Sequence, residues 1–232
     1  MLELYHQFIY NPLLNLLVWG YNSLPGHDIG IVIVVLTILV RLLLAPTMHK
    51  QIKSQHAIAK LQPKLEELKE KHKDNKEVQA RAVMDLYKEH NVNPFASCLP
   101  LLLQLPILIA LYQVFNKALH GNLDGLYRVV YNPGVIDPMF LGVINLANPN
   151  IILAVLAGGL QFWQARMMQA KSATKPTDAS AQMIQMQTMY LLPLVSIFIA
   201  WRLPAGLPLY WIVTTLFAIA QQYYVTKRHT NE

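Results

Sequence analysis

The sequence predicts an all-α, polytopic membrane protein, and three observations carry that prediction. Hydrophobic residues make up 54% of the 232 positions and charged residues 14%, with a mean hydropathy of +0.30. A chain that apolar and charge-poor is not an ordinary soluble domain. Five apolar stretches, at about 29–46, 95–115, 150–165, 189–201 and 207–225, contain no Asp or Glu. Each reads as a helix crossing a hydrocarbon layer roughly 30 Å thick. Between the first two lies a charged stretch, 47–93, whose apolar residues still recur at helical spacing.

Residues 1–28 hold no Lys or Arg. Without a basic leader or a small-residue cleavage site, this segment is not expected to be a removable signal peptide. Met1–Tyr21 reads instead as an amphipathic helix on the outer surface, with Leu4, Phe8, Leu13, Leu16, Leu17 and Trp19 facing lipid. The first span, 29–46, follows. In 47–93, Ile58, Leu61, Leu65 and Leu68 build one apolar seam. A break at Lys73-Asp74-Asn75 follows, and Asp74-x-x-Glu77 suits a capping box opening a second helix with Val78, Ala82, Val83, Leu86 and Tyr87 on one face. The two helices are expected to pair as an antiparallel cytoplasmic hairpin. Asn93-Pro94 then supplies an N-cap and first-turn proline for the second span, 94–115.

An outer loop is expected over 116–149, a third span over 150–165, and a cytoplasmic loop over 166–188 that contains the polar linker Lys171–Ala181. The fourth and fifth spans, 189–201 and 207–225, are separated by the turn Arg202–Gly206, and 226–232 forms a tail. Spans three and four fall short of the roughly 20 residues needed for an average bilayer, which implies thinning or little tilt. Pro100, Pro106 and Pro193 interrupt spans, and each frees backbone groups that neighbours or water must satisfy.

Orientation follows from the basic residues. Fifteen of the 19 Lys and Arg fall in 47–94, 166–188 and 226–232, and three fall in 1–28, 116–149 and 202–206. The positive-inside rule puts the N-terminus outside and the C-terminus in the cytoplasm. The net charge of +6 reflects this bias, so no specific DNA partner is expected.

The remaining basic residue, Arg41, is the most informative in the chain. It stands inside Ile29–Pro46, where insertion costs roughly 2.5–3.5 kcal/mol and usually marks a water-filled cavity or substrate path. Snorkelling is the competing reading, because the span's end is only about five residues, or 7 Å, away. Thr37 lies four residues earlier, on the same face. Gln104, Gln161, Gln164, Ser196, Tyr210, Trp211, Thr214 and Thr215 are among the other polar or amphipathic residues inside spans. They suit a common pocket if their faces converge, and helix-to-helix hydrogen bonding if they do not.

Several chemistries are excluded. With no intramembrane carboxylate there is no proton relay or cation ladder, so ion-coupled transport is not expected. The eight histidines lie outside the spans, and the lone Cys98 has no histidine near it in sequence. No HExxH, Walker loop or G-x-S-x-G occurs, so neither an enzyme nor a cofactor is indicated. A lone cation in a polar recess suits a transient acidic ligand, such as the tail of a peptide entering the membrane.

These motifs resemble the YidC/Oxa/Alb family of membrane protein insertases. The matching stretches are PLLNLL at 12–17, LTILVRLLLAP at 36–46, LQPKLEELKEK at 61–71 and LYKEHNVNPFASCLPLLLQLPILIALYQV at 86–114. LPAGLPLYWIVTTLFAIAQQYY at 203–224 completes the set. The NP-x3-C-x-P-x3-Q-x-P pattern at 93–106 is highly specific. The resemblance implies a five-helix core around a groove open to cytosol and lipid, with the hairpin as a substrate-receiving element. It maps the groove arginine onto Arg41, the substrate-contacting threonine onto Thr37, an aromatic pair onto Tyr210 and Trp211, and groove glutamines onto Gln104 and Gln161.

The expected activity is insertion of nascent membrane proteins, alone or with the Sec translocon, with the ribosome and membrane lipids as further partners. The site is a bacterial plasma membrane. The large outer domain, the lipoprotein cysteine and the long basic tail of some relatives have no counterpart in this sequence. A lipid scramblase or channel using the same polar groove is the alternative.

Overall fold

In the computed structural model of the protein, residues 2–90, 92, 99–169, 183 and 186–230 are described. The expected Asn93-Pro94 cap, Cys98 and the linker 171–181 lie outside them. The described chain is predominantly helical, with one two-stranded hairpin.

Helix α1 (Leu2–Tyr5) continues through a π-helical turn (His6–Tyr10) into α2 (Asn11–Ser23). The cause of the wide turn is local. Pro12 has no N–H to give and its ring crowds the preceding turn, while Asn11 donates to His6 O, five residues back. The same arrangement recurs before Pro193, where Leu192 donates to Gln187 O across a second π-turn (Gln187–Leu191). Leu14, Leu17 and Val18 of α2 are buried in the protein, while Leu4, Phe8, Leu16 and Trp19 are exposed. The expected outward stripe is therefore corrected at Leu17, which packs inward, and at the half-buried Leu13. A helix with apolar residues on two sides does not announce which side its neighbours take.

Asp28 opens α3 (Ile29–Lys71), its Oδ1 accepting from the N–H groups of Gly30 and Ile31. This helix is 43 residues long, about 65 Å, and runs without a break through Pro46 and Pro63. The boundary drawn at 46/47 from composition is thus a change of surroundings within one rod. Helix α4 (Lys76–Glu89) folds back on it, capped by Asn75 rather than Asp74. Leu61, Leu65 and Leu86 are buried between the two, with Leu68, Val83 and Tyr87 beside them, whereas Val78 is exposed.

Helix α5 (Leu99–Ala118) leads to a long loop carrying strands β1 (Met139–Phe140) and β2 (Ile144–Asn145), paired antiparallel. Then come α6 (Ile151–Gln169), α7 (Leu192–Ala200) and α8 (Gly206–Thr230). Among the described residues, Ile29–Met48 and Ile151–Met168 are long and apolar enough to cross a membrane, and Met189–Ala200 is a shorter apolar helix. Helix α8 packs on α3, α5 and α6, and α6 packs on α7, where Gly158 lets Ile197 approach closely.

The main core lies at one end of this bundle. Leu14 and Val18, Ile29, Val32 and Ile33, Leu111, Val114, Phe115, Ala118 and Leu119, Leu146, and Leu207, Leu209 and Tyr210 contribute to it. The loop is tied down there. Asn15 donates to Asn11 O and Gly125 O and accepts from the Tyr127 N–H. Tyr131 O accepts from Asn22, and Tyr21 Oη accepts from the Asp137 N–H.

Candidate functional site

Away from that core, along α3 and α8, the buried side chains change character. Among the described side chains, the buried residues of α3 beyond Ile33 and before the hairpin seam are Thr37 and Gln51, and those of α8 beyond Tyr210 are Thr215, Gln222 and Val225. Apolar side chains of α3 point the other way: Ile31, Val35, Ile38, Leu39, Leu42 and Leu43 are exposed. This helix therefore has an exposed apolar face, while its inward side mixes Thr37 and Gln51 with the partly buried Val34, Leu36 and Leu44.

Arg41 belongs to the inward side. It follows Ile33 and Thr37 at intervals of four and is half-buried, flanked by the exposed Val40 and Leu42. It has no carboxylate partner among the described residues. Thr37, 6% exposed, turns its hydroxyl back to Ile33 O at 2.6 Å. It thus presents its methyl group and a hydroxyl oxygen rather than a free donor.

Gln104 and Tyr210 are brought together: the glutamine Nε2 donates to the Tyr210 hydroxyl oxygen at 2.8 Å, joining α5 to α8. Tyr210 is buried, and Trp211 is half-buried against the main core. Gln161 is not drawn in; it stands half-buried on α6 and makes no hydrogen bond among the described residues. Among the described residues, the buried hydroxyl of Thr214, one turn beyond Tyr210, and the Gln51 side-chain carbonyl oxygen have no hydrogen-bond partner, and neither has the Tyr10 hydroxyl in the main core. Such groups are costly unless water or a ligand reaches them. Gln221 donates to Ala45 O at 2.9 Å, tying α8 to the stretch of α3 just past Arg41.

Comparison with known proteins decides what this framework belongs to. Residues 20–232 match the family described as 60Kd inner membrane protein. The chain belongs to the YidC family of membrane protein insertases.

A YidC-family relative from Fusobacterium nucleatum, named membrane protein insertase YidC, is 37% identical over 227 residues, covering 95% of this chain and 98% of the relative. One of the same name from Clostridium tetani is 38% identical over 198 residues, 85% of this chain and 81% of that one. The relative from Geotalea uraniireducens is 37% identical over 218 residues, but the chain spans only 37% of its length. YidC-family membership makes the chain a membrane protein.

Sequence reasoning passed over Gln51, five residues beyond the first apolar stretch, and Gln221 and Gln222, in the last turns of the fifth, where glutamine is unremarkable. For Gln222 the helical period was the available signal: it lies seven beyond Thr215, on the same face of α8.

Proposed function

We propose that this chain is an insertase that receives nascent membrane proteins in a hydrophilic recess bounded by α3, α5 and α8 and releases their apolar segments sideways into lipid. The observation that supports this best is the position of Arg41 on the protein-facing stripe of α3, in line with Thr37, rather than on the exposed apolar stripe. A snorkelling arginine needs no such placement. Five spans, with the N-terminus outside and the C-terminus in the cytoplasm of a bacterial plasma membrane, put this recess on the cytoplasmic side of the main core.

Arg41 attracts the acidic residues of the crossing tail. Thr37, Gln104, Tyr210 and Trp211 wall the recess, with Gln161 outside it on α6, and water there lowers the desolvation cost of the tail. Partition of the apolar segment at about 25 cal/mol per Å² drives the step. The membrane potential adds about 2.3 kcal/mol per charge per 100 mV. The α3–α4 hairpin captures clients from the ribosome, and the recess works alone or beside the Sec translocon. No covalent chemistry is involved.

The test is insertion of a single-span reporter with an acidic N-terminal tail into liposomes carrying wild-type, Arg41→Ala or Arg41→Lys protein, read by protease protection. Loss with alanine and substantial rescue with lysine is the expected result, because a flexible tail needs charge more than fork geometry. Equal insertion by all three overturns the role of Arg41. Lipid flipping without any peptide dependence would favour scrambling instead.

A further inference from the structure

The loop hairpin ends in residues that do not suit water. Its turn, closed by the Val143 N–H donating to Phe140 O, has Leu141 at φ +52° and Gly142 at φ +68°. Asn or Asp is the residue that tolerates the first of these positions; a leucine there is strained. Yet Leu141 is 63% exposed and Val143 79% exposed. The stretch from Pro138 to Ala165 contains no charged residue.

The position of this tip is fixed. Asp28 Oδ2 accepts from the Leu141 N–H at 2.6 Å, while the other oxygen of the same carboxylate caps α3. The Phe140 ring lies so close over Gly30 that a side chain there would collide with it. The tip therefore sits at the first turn of α3, beside the start of the exposed apolar stripe at Ile31, Val35 and Ile38. Leu141 and Val143 thus lie near Ile31, the first exposed apolar residue of α3, with the Asp28 carboxylate at the junction.

We infer that Leu141 and Val143 insert into the interface of the bilayer leaflet next to the first turn of α3, making the hairpin a lipid anchor for the loop. The occupant is lipid because the patch adjoins that stripe and carries no charge of its own. Contact with acyl chains accounts for an exposed apolar side chain at a turn position whose backbone conformation favours asparagine. Tied by Asp28, the anchor fixes the depth at which α3 enters the membrane. This inference rests on α3 crossing the bilayer, which is part of the functional reading above.

The experiment places an environment-sensitive fluorophore on single cysteines at Val143, Leu39 and Asn122 in a Cys98→Ser background, in liposomes with or without spin-labelled lipids. The expected result is quenching of the Val143 probe by shallow lipid labels, of the Leu39 probe by deep labels, and of the Asn122 probe by a water-soluble quencher only. Quenching at Leu39 without any at Val143 overturns the anchor and leaves the spanning helix standing; absence at both overturns the span and the anchor together. A Val143 probe shielded from water but untouched by lipid labels points to a second copy of the chain and also overturns the inference. Leu141→Asn suits the turn better, so it keeps the hairpin folded while lowering lipid quenching at Val143 by about half.

Discussion

The two ends of the helical bundle are built from opposite materials. At the loop end, α2, the start of α3, the end of α5 and the start of α8 close on Leu14, Val18, Ile29, Phe115 and Leu207, and loop backbone is tied down by Asn15, Asn22 and Asp28. Toward the hairpin end, the same α3 and α8 enclose Thr37, Gln51, Thr215 and Gln222 beside Val225; among the described residues, unpartnered buried oxygens occur at both ends, on Tyr10 in the loop-end core and on Thr214 and Gln51 here. One end resembles the interior of a folded domain. The other buries a larger share of polar side chains. Stability and activity are therefore expected to separate along the axis of α3.

The comparison breaks most visibly at Phe115. Phe115→Ala should cost about 3–5 kcal/mol, because the side chain is fully enclosed and its neighbours are held from several elements. A large fall in thermal unfolding temperature in detergent checks this, and a fall no greater than that of a surface variant would refute the description of the loop end as the stabilising core. The hairpin offers a second, independent unit. Leu61→Asp with Leu65→Asp puts two carboxylates into its small seam and should release α4 at about 2–4 kcal/mol of local stability. Hydrogen exchange in α4 should rise while α5 and the start of α8 stay protected, and capture of client protein should weaken. Unchanged insertion would remove the hairpin from the proposed mechanism. The smallest effect belongs to Tyr210→Phe, which leaves Gln104 without its acceptor and should cost about 0.5–1.5 kcal/mol. Reporter insertion falling further than that loss of stability would assign the phenol to the recess; a matched fall would make it a brace between α5 and α8.

Much of this was legible in the chain, for reasons that differ from residue to residue. The seam of Leu61, Leu65 and Leu86 was readable because a charged helix with one apolar stripe has only one side to bury. Asn75 displaced Asp74 as the cap because adjacent Asp and Asn are both competent, and only the direction of the turn selects one. Leu17 was misassigned because α2 is apolar on two sides and burial depends on where the loop lies. The π-turns were foreshadowed by Pro12 and Pro193, though a proline alone announces a disturbance rather than its form.

By itself, the sequence determined the helical class, the apolar stretches, the family and the identity of the one basic residue within an apolar span, because these depend on composition, period and local spacing. Tertiary structure decided which face of α3 Arg41 occupies, that Gln104 meets Tyr210 while Gln161 stands apart, and that Asp28 holds the hairpin tip against the first turn of α3. Those contacts join residues about a hundred positions apart, and no local period specifies the packing that brings them within hydrogen-bonding distance.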